Sequence, residues 1–259
     1  MKWAALLSIL WAALLAGCGP QTPPPLVVGM ELAYPPFEMT DPHGQPAGVS
    51  VDLARDLGKH LGRQIEIQNF AFAGLIPALQ TGKIDLIISS MTATEERARA
   101  IAFSDPYLNT GLCLLVGQGS TIKAIADADQ PGRVVAVKMG TTGHLFAVNN
   151  LKHAQVLVLD KEDACVLEVV QGKADAFIYD QISTYENWKR NAGVTRPILE
   201  PFKREAWAIG LRRDDTNLLR QVNGFLKEYK AAGGFTRLGD RYLSEQKEAF
   251  RKLGYEFYF

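Results

Sequence analysis

From residue 26 onward, short apolar runs alternate with stretches in which apolar residues recur every three or four positions, and the whole alternation is used twice. The first series predicts strands at 26–30, 65–68 and 84–89, separated by helices at 49–61 and 74–81. The second predicts strands at 134–138, 156–159 and 174–179, separated by helices at 142–149 and 162–171. Strand and helix in strict alternation specify α/β layering, with helices packed on sheets. In the helix at 49–61, Leu53, Leu57 and Leu61 recur at i+4 while Arg55, Asp56 and Lys59 take the other side, so it should lie on a sheet.

The two series share a local sequence. Leu79-Gln80-Thr81-Gly82-Lys83-Ile84-Asp85 closes a helix and opens a strand in the first, and Val170-Gln171-Gly172-Lys173-Ala174-Asp175 does so in the second. In each, glycine can take the left-handed conformation that stops a helix, and lysine sits near its negative end. Matching positions in matching series point to paired lobes. Further on, 207–211 reads as a strand and 214–232 as a helix whose Leu218, Leu219, Val222, Phe225, Leu226 and Tyr229 form a core-facing stripe. Gly233-Gly234 ends it, and a short terminal helix follows.

Met1 and Lys2 precede an apolar run that reaches Ala16, the layout of a secretory signal. A bilayer-spanning helix needs about 20 apolar residues, so export is the better reading. Leu15-Ala16-Gly17-Cys18 resembles a bacterial lipobox, whose cysteine becomes the lipidated first residue of the mature chain. The expected layout is a lipoprotein signal at 1–17, a membrane anchor through lipid on Cys18, and an extended proline-rich tether at 18–25. The remainder is long enough for two lobes with separate cores. Lys plus Arg and Asp plus Glu both number 28, so no overall field favours nucleic acid or anionic membranes. Cys113 and Cys165 lie in apolar segments without zinc spacing and read as buried thiols. No phosphate-binding glycine loop and no i, i+4 histidine pair occurs, so no metal, nucleotide or covalent cofactor is expected.

In open α/β sheets, ligands bind beyond the carboxyl ends of the strands. The first such loop holds Tyr34-Pro35-Pro36-Phe37, where two prolines keep two aromatics in a stiff extended turn. The loop after the third strand, Ser89-Ser90-Met91-Thr92-Ala93-Thr94-Glu95-Glu96-Arg97, offers hydroxyls and N–H groups before a short helix. Thr94 as N-cap, with Arg97 three residues on, would form an anion seat on the first helical turn. A planar guanidinium can bond both oxygens of a carboxylate. The alternative is a capped surface helix whose Arg97 pairs with a neighbouring acid.

Five segments carry a chain-wide resemblance: Tyr34 to Phe37, Gly48 to Leu53, Phe72 to Leu79, Ser89 to Arg97, and Phe103-Ser104-Asp105-Pro106-Tyr107. Together with Val135 to Thr142 and Ala174 to Asp180, they stand in the order seen in polar-amino-acid-binding proteins of ATP-binding-cassette transporters. The resemblance implies a type II periplasmic-binding-protein-like fold of two α/β lobes. A discontinuous lobe 1 (26–108 plus 208–259) and a lobe 2 (109–207) would be joined by crossovers near 108–111 and 203–207. It implies that the ligand's α-carboxylate is held by Arg97, helped by N–H groups near Thr92 and Thr142. The α-ammonium would be held by Asp180, the Thr92 hydroxyl and a carbonyl near Ser90. Tyr34 and Phe72 would sandwich the side chain, with Phe37 left to the core, and Ser89 and Thr141 would complete the polar wall.

Selectivity would rest on Glu31, which matches an acid that contacts the cationic tip in basic-amino-acid binders. Two departures bear on it: Ser50 replaces a second acid, and Lys138 stands where glutamine binders place a lysine. An outward Lys138 favours a basic ligand, whereas an inward one that neutralises Glu31 favours glutamine or another neutral side chain. The implied partners are a free L-amino acid and the permease subunits of an importer, the receptor itself being monomeric. Rival functions are a cyclohexadienyl dehydratase-like enzyme, with Glu31 or Asp180 as general acid, and an amino-acid sensor.

Overall fold

The computed structural model describes residues 23–255. The expected signal, Cys18 and the first part of the expected tether lie outside the described residues; Pro23, Pro24 and Pro25 are exposed and without regular structure. Arg63 holds the tether's end by donating to the carbonyls of Pro24 and Pro25.

The chain builds β1 (Leu26–Met30), β2 (Ala33–Tyr34), β3 (Glu38–Thr40), β4 (Pro46–Ala47), α1 (Val49–Leu61), β5 (Ile65–Asn69), α2 (Leu75–Gln80), β6 (Leu86–Ile87), α3 (Glu95–Ala98) and β7 (Ala102–Phe103). It continues through β8 (Leu108–Gly117), α4 (Ile125–Ala128), β9 (Val134–Lys138), α5 (Thr142–Asn150), β10 (Gln155–Leu159), α6 (Glu162–Val170), β11 (Ala176–Asp180), α7 (Gln181–Arg190) and β12 (Thr195–Trp207). It ends in β13 (Gly210–Leu211), α8 (Thr216–Ala231), α9 (Gly234–Tyr242) and α10 (Ser244–Leu253).

One sheet has the order β5-β1-β6-β13-β7 and the other β10-β9-β11-β8-β12, so the same pattern appears twice. In each, the first strand of a series is parallel to its two neighbours, and a strand from elsewhere in the chain adds antiparallel to the third. The shared local sequence explains the likeness. Gly82 and Gly172 both take left-handed φ values. Asp85 and Asp175 then reach back to the first strand of their own sheet, each accepting a backbone N–H with its carboxylate, from Val27 and Val134 respectively. Arg212 and Arg133 pair with these two acids from outside.

Helix α1 follows the leucine spacing: Leu53, Ala54 and Leu57 are fully buried. Its N-cap is Gly48 at φ 117°, and a Cβ there would stand 2.4 Å from the Phe37 carbonyl oxygen. Only glycine lets the helix start directly beneath the Tyr34 to Phe37 turn. Leucines and aromatics of α1, β1, α8, α9 and α10 form one core, and a second surrounds β8, β9 and β11.

Several boundaries differ from the sequence expectation. The strand predicted at 84–89 pairs only over Leu86–Ile87, because Ser89 and Ser90 already turn toward the space between the sheets. The segment 207–211 is two strands. Trp207 pairs with Leu108, whereas Gly210 and Leu211 insert between β6 and β7, and the intervening backbone bonds instead to Met91 and Ser104. The stiff turn near Tyr34 is part of a small sheet, β2-β3-β4. The short terminal helix is two helices broken at Leu243, and the second leans on α7 through Phe250 against Tyr185, Glu245 with Lys189 and Gln246 with Glu186. Cys113 and Cys165 are buried free thiols, as expected. Among the described residues, no helix is long and apolar enough to cross a membrane.

The sheets are joined by β8 and β12, which run side by side from Leu108↔Trp207 to Leu112↔Lys203. The loops at the carboxyl ends of β1, β6, β9 and β11 therefore face one another across a cleft.

Candidate functional site

One cavity in this cleft is lined by Glu31, Tyr34, Phe72, Ser89, Ser90, Thr92, Arg97, Thr141, Thr142 and Asp180, so ten of the eleven expected site residues share it. The eleventh, Lys138, lies behind the wall. Glu38, Leu112, Gly143, Tyr179, Glu205 and Trp207 complete the lining.

Arg97 sits in the first turn of α3, where Thr94 caps the helix by accepting from the Arg97 N–H at 3.2 Å. The guanidinium is buried rather than spread on the surface. It donates to the Thr92 carbonyl at 2.7 Å and, across the cleft, to the Gly140 carbonyl at 2.9 Å. Burial lowers its pKa to about 10, with Glu205 opposing the shift, so it stays cationic at neutral pH. Two of its five N–H groups are thus assigned, and the planar fork retains donors for an anion. Phe72 lies beneath it, 5.4 Å from the ring centroid to the guanidinium carbon.

Asp180 ends β11 and caps α7. Its Oδ1 accepts from the N–H groups of Ile182 and Ser183, both at 3.0 Å, and from the Tyr34 hydroxyl at 2.7 Å across the cleft. Burial raises its pKa to about 6 against these hydrogen bonds, leaving it ionised at neutral pH. All three protein donors use one oxygen. A cation and an anion therefore face the same cavity from opposite sides.

Tyr34 stacks on the fully buried Phe37 at 5.5 Å and meets Trp207 edge-on at 5.9 Å, so its ring is fixed from behind. Ser90 has φ 47°, the one non-glycine residue at positive φ among the described residues. Such strain persists where the surroundings enforce it, commonly at binding sites.

At the other end of the cavity, Lys138 points inward. Its side chain is 2% exposed, forms an ion pair with Glu31 and lies 5.7 Å from the Phe72 ring centroid. The Glu31 backbone N–H donates to Ser89. Beside them is Glu38, the residue that directly follows the Tyr34 to Phe37 turn. It is buried and accepts hydroxyl protons from Ser50 at 2.6 Å, Ser90 at 3.1 Å and Ser89 at 3.4 Å. Burial outweighs the serines and pushes its pKa up to about 8. The hydroxyl of Ser50, together with those of Ser89 and Ser90, gives this second carboxyl its donors inside the wall. Glu205 was also missed, although β-strand alternation from the buried Trp207 places it on the same face.

Burial raises the carboxyl pKa values of Glu38 to about 8, Glu162 to about 7 and Asp180 to about 6. In the unfolded chain, all three revert to values near 4. The folded protein therefore binds more protons than the unfolded chain between about pH 4 and 8, and its stability falls as pH rises through that window. For Glu38 alone the shift corresponds to something on the order of 5 kcal/mol. Denaturant unfolding at pH 5 and pH 8 should show the higher midpoint at pH 5, and Glu38→Gln should remove most of the difference above pH 6. A midpoint that rises toward pH 8 in the wild type would contradict this.

The chain matches the bacterial extracellular solute-binding proteins, family 3, over residues 26–245, and belongs to that family. It is 31% identical to an L-arginine-binding protein of Pseudomonas aeruginosa, over 94% of this chain and 97% of the relative. Among solved structures it is similar to an ancestral arginine-binding protein bound to glutamine, with TM-score 0.78, 32% identity, and coverage of 85% and 98% of the two chains. It is also similar to an ancestral amino acid-binding protein described as a precursor of cyclohexadienyl dehydratase, with TM-score 0.78, 35% identity and coverage of 84% and 94%. The fold is accordingly the two-lobed type II binding-protein fold.

Proposed function

We propose that this protein is the extracytoplasmic receptor of an ATP-binding-cassette importer and that its ligand is an amino acid with a neutral polar side chain, of which glutamine is the type. The observation that carries the choice of side chain is the buried Lys138–Glu31 pair over Phe72. A basic ligand's tip would seek that acid and that ring face, and the protein's own ammonium already holds both. The pair has no net charge, and Glu38, protonated at neutral pH, adds none. What remains beside the ring are dipoles and hydroxyls, which suit an amide.

In this reading, the α-carboxylate bonds to Arg97 and to N–H groups at Thr92 and Thr142. The α-ammonium bonds to Asp180. Tyr34 and Phe72 cover the aliphatic stem. The ligand bridges the lobes, which close about the paired strands near 108–111 and 203–207. Lipid on Cys18 keeps the monomeric receptor at the membrane, beside its permease. Micromolar affinity needs only about −8 kcal/mol, within reach of two paired charged ends and a covered stem.

Calorimetric titration with all common amino acids tests the proposal: glutamine-like ligands should bind at micromolar concentrations and arginine or lysine at least tenfold more weakly. Tighter binding of arginine than of any neutral amino acid would overturn the assignment of the side chain. Lys138→Met should reverse the order, because it leaves Glu31 unpaired beside the aromatic face. A cationic ligand should then gain roughly tenfold or more, about 1.4 kcal/mol. An unchanged preference in that variant would show that Lys138 does not set selectivity.

Glu38 favours one second reading. A carboxyl that stays protonated at neutral pH in the same cavity is chemically able to act as a general acid toward a departing hydroxyl, the requirement of a dehydratase. Turnover of an arogenate-type substrate, lost in Glu38→Gln, together with no amino-acid binding, would establish it in place of transport.

A further inference from the structure

Glu205 comes from the crossover strand β12, opposite Thr110 of β8, and its carboxylate projects into the cleft with the side chain 3% exposed. Two hydroxyls, one from each side of the cleft, converge on a single oxygen. Thr92, in the loop after β6, donates to Oε2 at 3.1 Å, and Thr142, the first residue of α5, donates to it at 2.7 Å. Lys203 Nζ lies 3.3 Å from Oε1 but is not aligned as a hydrogen-bond donor, so Oε1 is buried without a hydrogen bond.

A carboxylate only accepts, and each hydroxyl carries one proton and two lone pairs. With both protons directed at Glu205, Thr92 and Thr142 can offer the cavity lone pairs alone. We propose that Glu205 is a specificity-determining positioning residue: by taking both hydroxyl protons, it turns Thr92 and Thr142 into acceptors and so makes recognition of a ligand ammonium obligatory. The inference rests on the amino-acid receptor reading and deepens it. Arg97 and backbone N–H groups then serve the ligand's carboxylate, while Asp180, Thr92 and Thr142 form an acceptor set for the ammonium. A des-amino ligand would leave those lone pairs facing apolar hydrogen.

The test is calorimetry with the tightest-binding amino acid and with the same molecule carrying hydrogen in place of the ammonium. The wild type should prefer the amino acid at least 100-fold. In Glu205→Ala the freed hydroxyl protons can donate to a carboxylate, so the ratio should shrink at least tenfold with des-amino binding held or improved. Glu205→Gln, whose amide oxygen can still accept both protons, should retain most of the ratio. Thr142→Val, which leaves the crossover strand untouched, should lower the ratio as well. Thermal melts confirm that each variant is folded. Equal weakening of both ligands in Glu205→Ala, or a loss in Glu205→Gln as large as in the alanine variant, would overturn the inference. If the wild type binds amino acids but the ratio does not move in any variant, this inference fails alone. If the wild type binds no amino acid, the receptor reading fails with it.

Discussion

Arg97→Ala is expected to weaken binding of every amino acid by roughly 100- to 1000-fold while leaving the protein folded. Truncating one member of a buried, hydrogen-bonded charge pair costs about 2–5 kcal/mol or more, largely because the other charge is left buried and alone. In the proposed function that partner is the ligand's α-carboxylate. The loss should be the same for neutral and basic ligands, since the carboxylate is common to them, which separates this variant from Lys138→Met. The protein itself loses the bonds to the Thr92 and Gly140 carbonyls and the packing of the guanidinium on Phe72. Phe72 stays packed on the cluster of Leu75, Leu79 and Ile84, so the melting temperature should fall by only about 2–4 °C per kcal/mol lost and the protein stay folded. Undiminished affinity in Arg97→Ala would remove the carboxylate assignment altogether.

Asp180→Asn is expected to weaken amino-acid binding by roughly 100-fold, again for all side chains, through loss of the charge opposite the ammonium. This substitution isolates charge from structure. Asparagine is as good an N-cap as aspartate, so α7 keeps acceptors for the Ile182 and Ser183 N–H groups, and the Tyr34 hydroxyl keeps an oxygen. Asp180→Ala removes all three and should cost about 1–2 kcal/mol of stability in addition. Parallel calorimetry and denaturant unfolding distinguish the two effects. If the asparagine variant binds as tightly as the wild type, Asp180 is a helix cap only.

The elements that could be read from the chain are those whose burial is decided locally. Leu53 and Leu57 face a sheet because their own spacing demands it, and Gly82 and Gly172 end helices because their φ values are costly for other residues. Thr94 with Arg97 signalled its role through a capping pattern confined to four residues. Glu205 carried only the strand alternation counted back from Trp207, which becomes a signal once β12 is known to extend that far. Its neighbours Lys203 and Arg204 are exposed, and its burial follows from the pairing of β12 with β8, a contact made far along the chain. The same holds for the break between Trp207 and Gly210, where a continuous run of strand-forming residues changes partners from one sheet to the other. Glu38 was hidden for a different reason. A glutamate after a turn is ordinarily solvated, and only the convergence of Ser50, Ser89 and Ser90 allows this one to be buried. The direction of Lys138 likewise depends on Glu31 lying across the cleft, which no local pattern encodes.

The placement of β13 imposes an order on the making of the molecule. Gly210 and Leu211 stand between β6 and β7, so the first sheet stays split until the chain has passed the entire second sheet. The strands of that second sheet, from β8 to β12, are contiguous in sequence and can assemble as soon as they emerge. A polypeptide emerging amino end first would thus finish its later half first, and the capped turn that carries Arg97, in the segment between β6 and β7, would be among the last features to form.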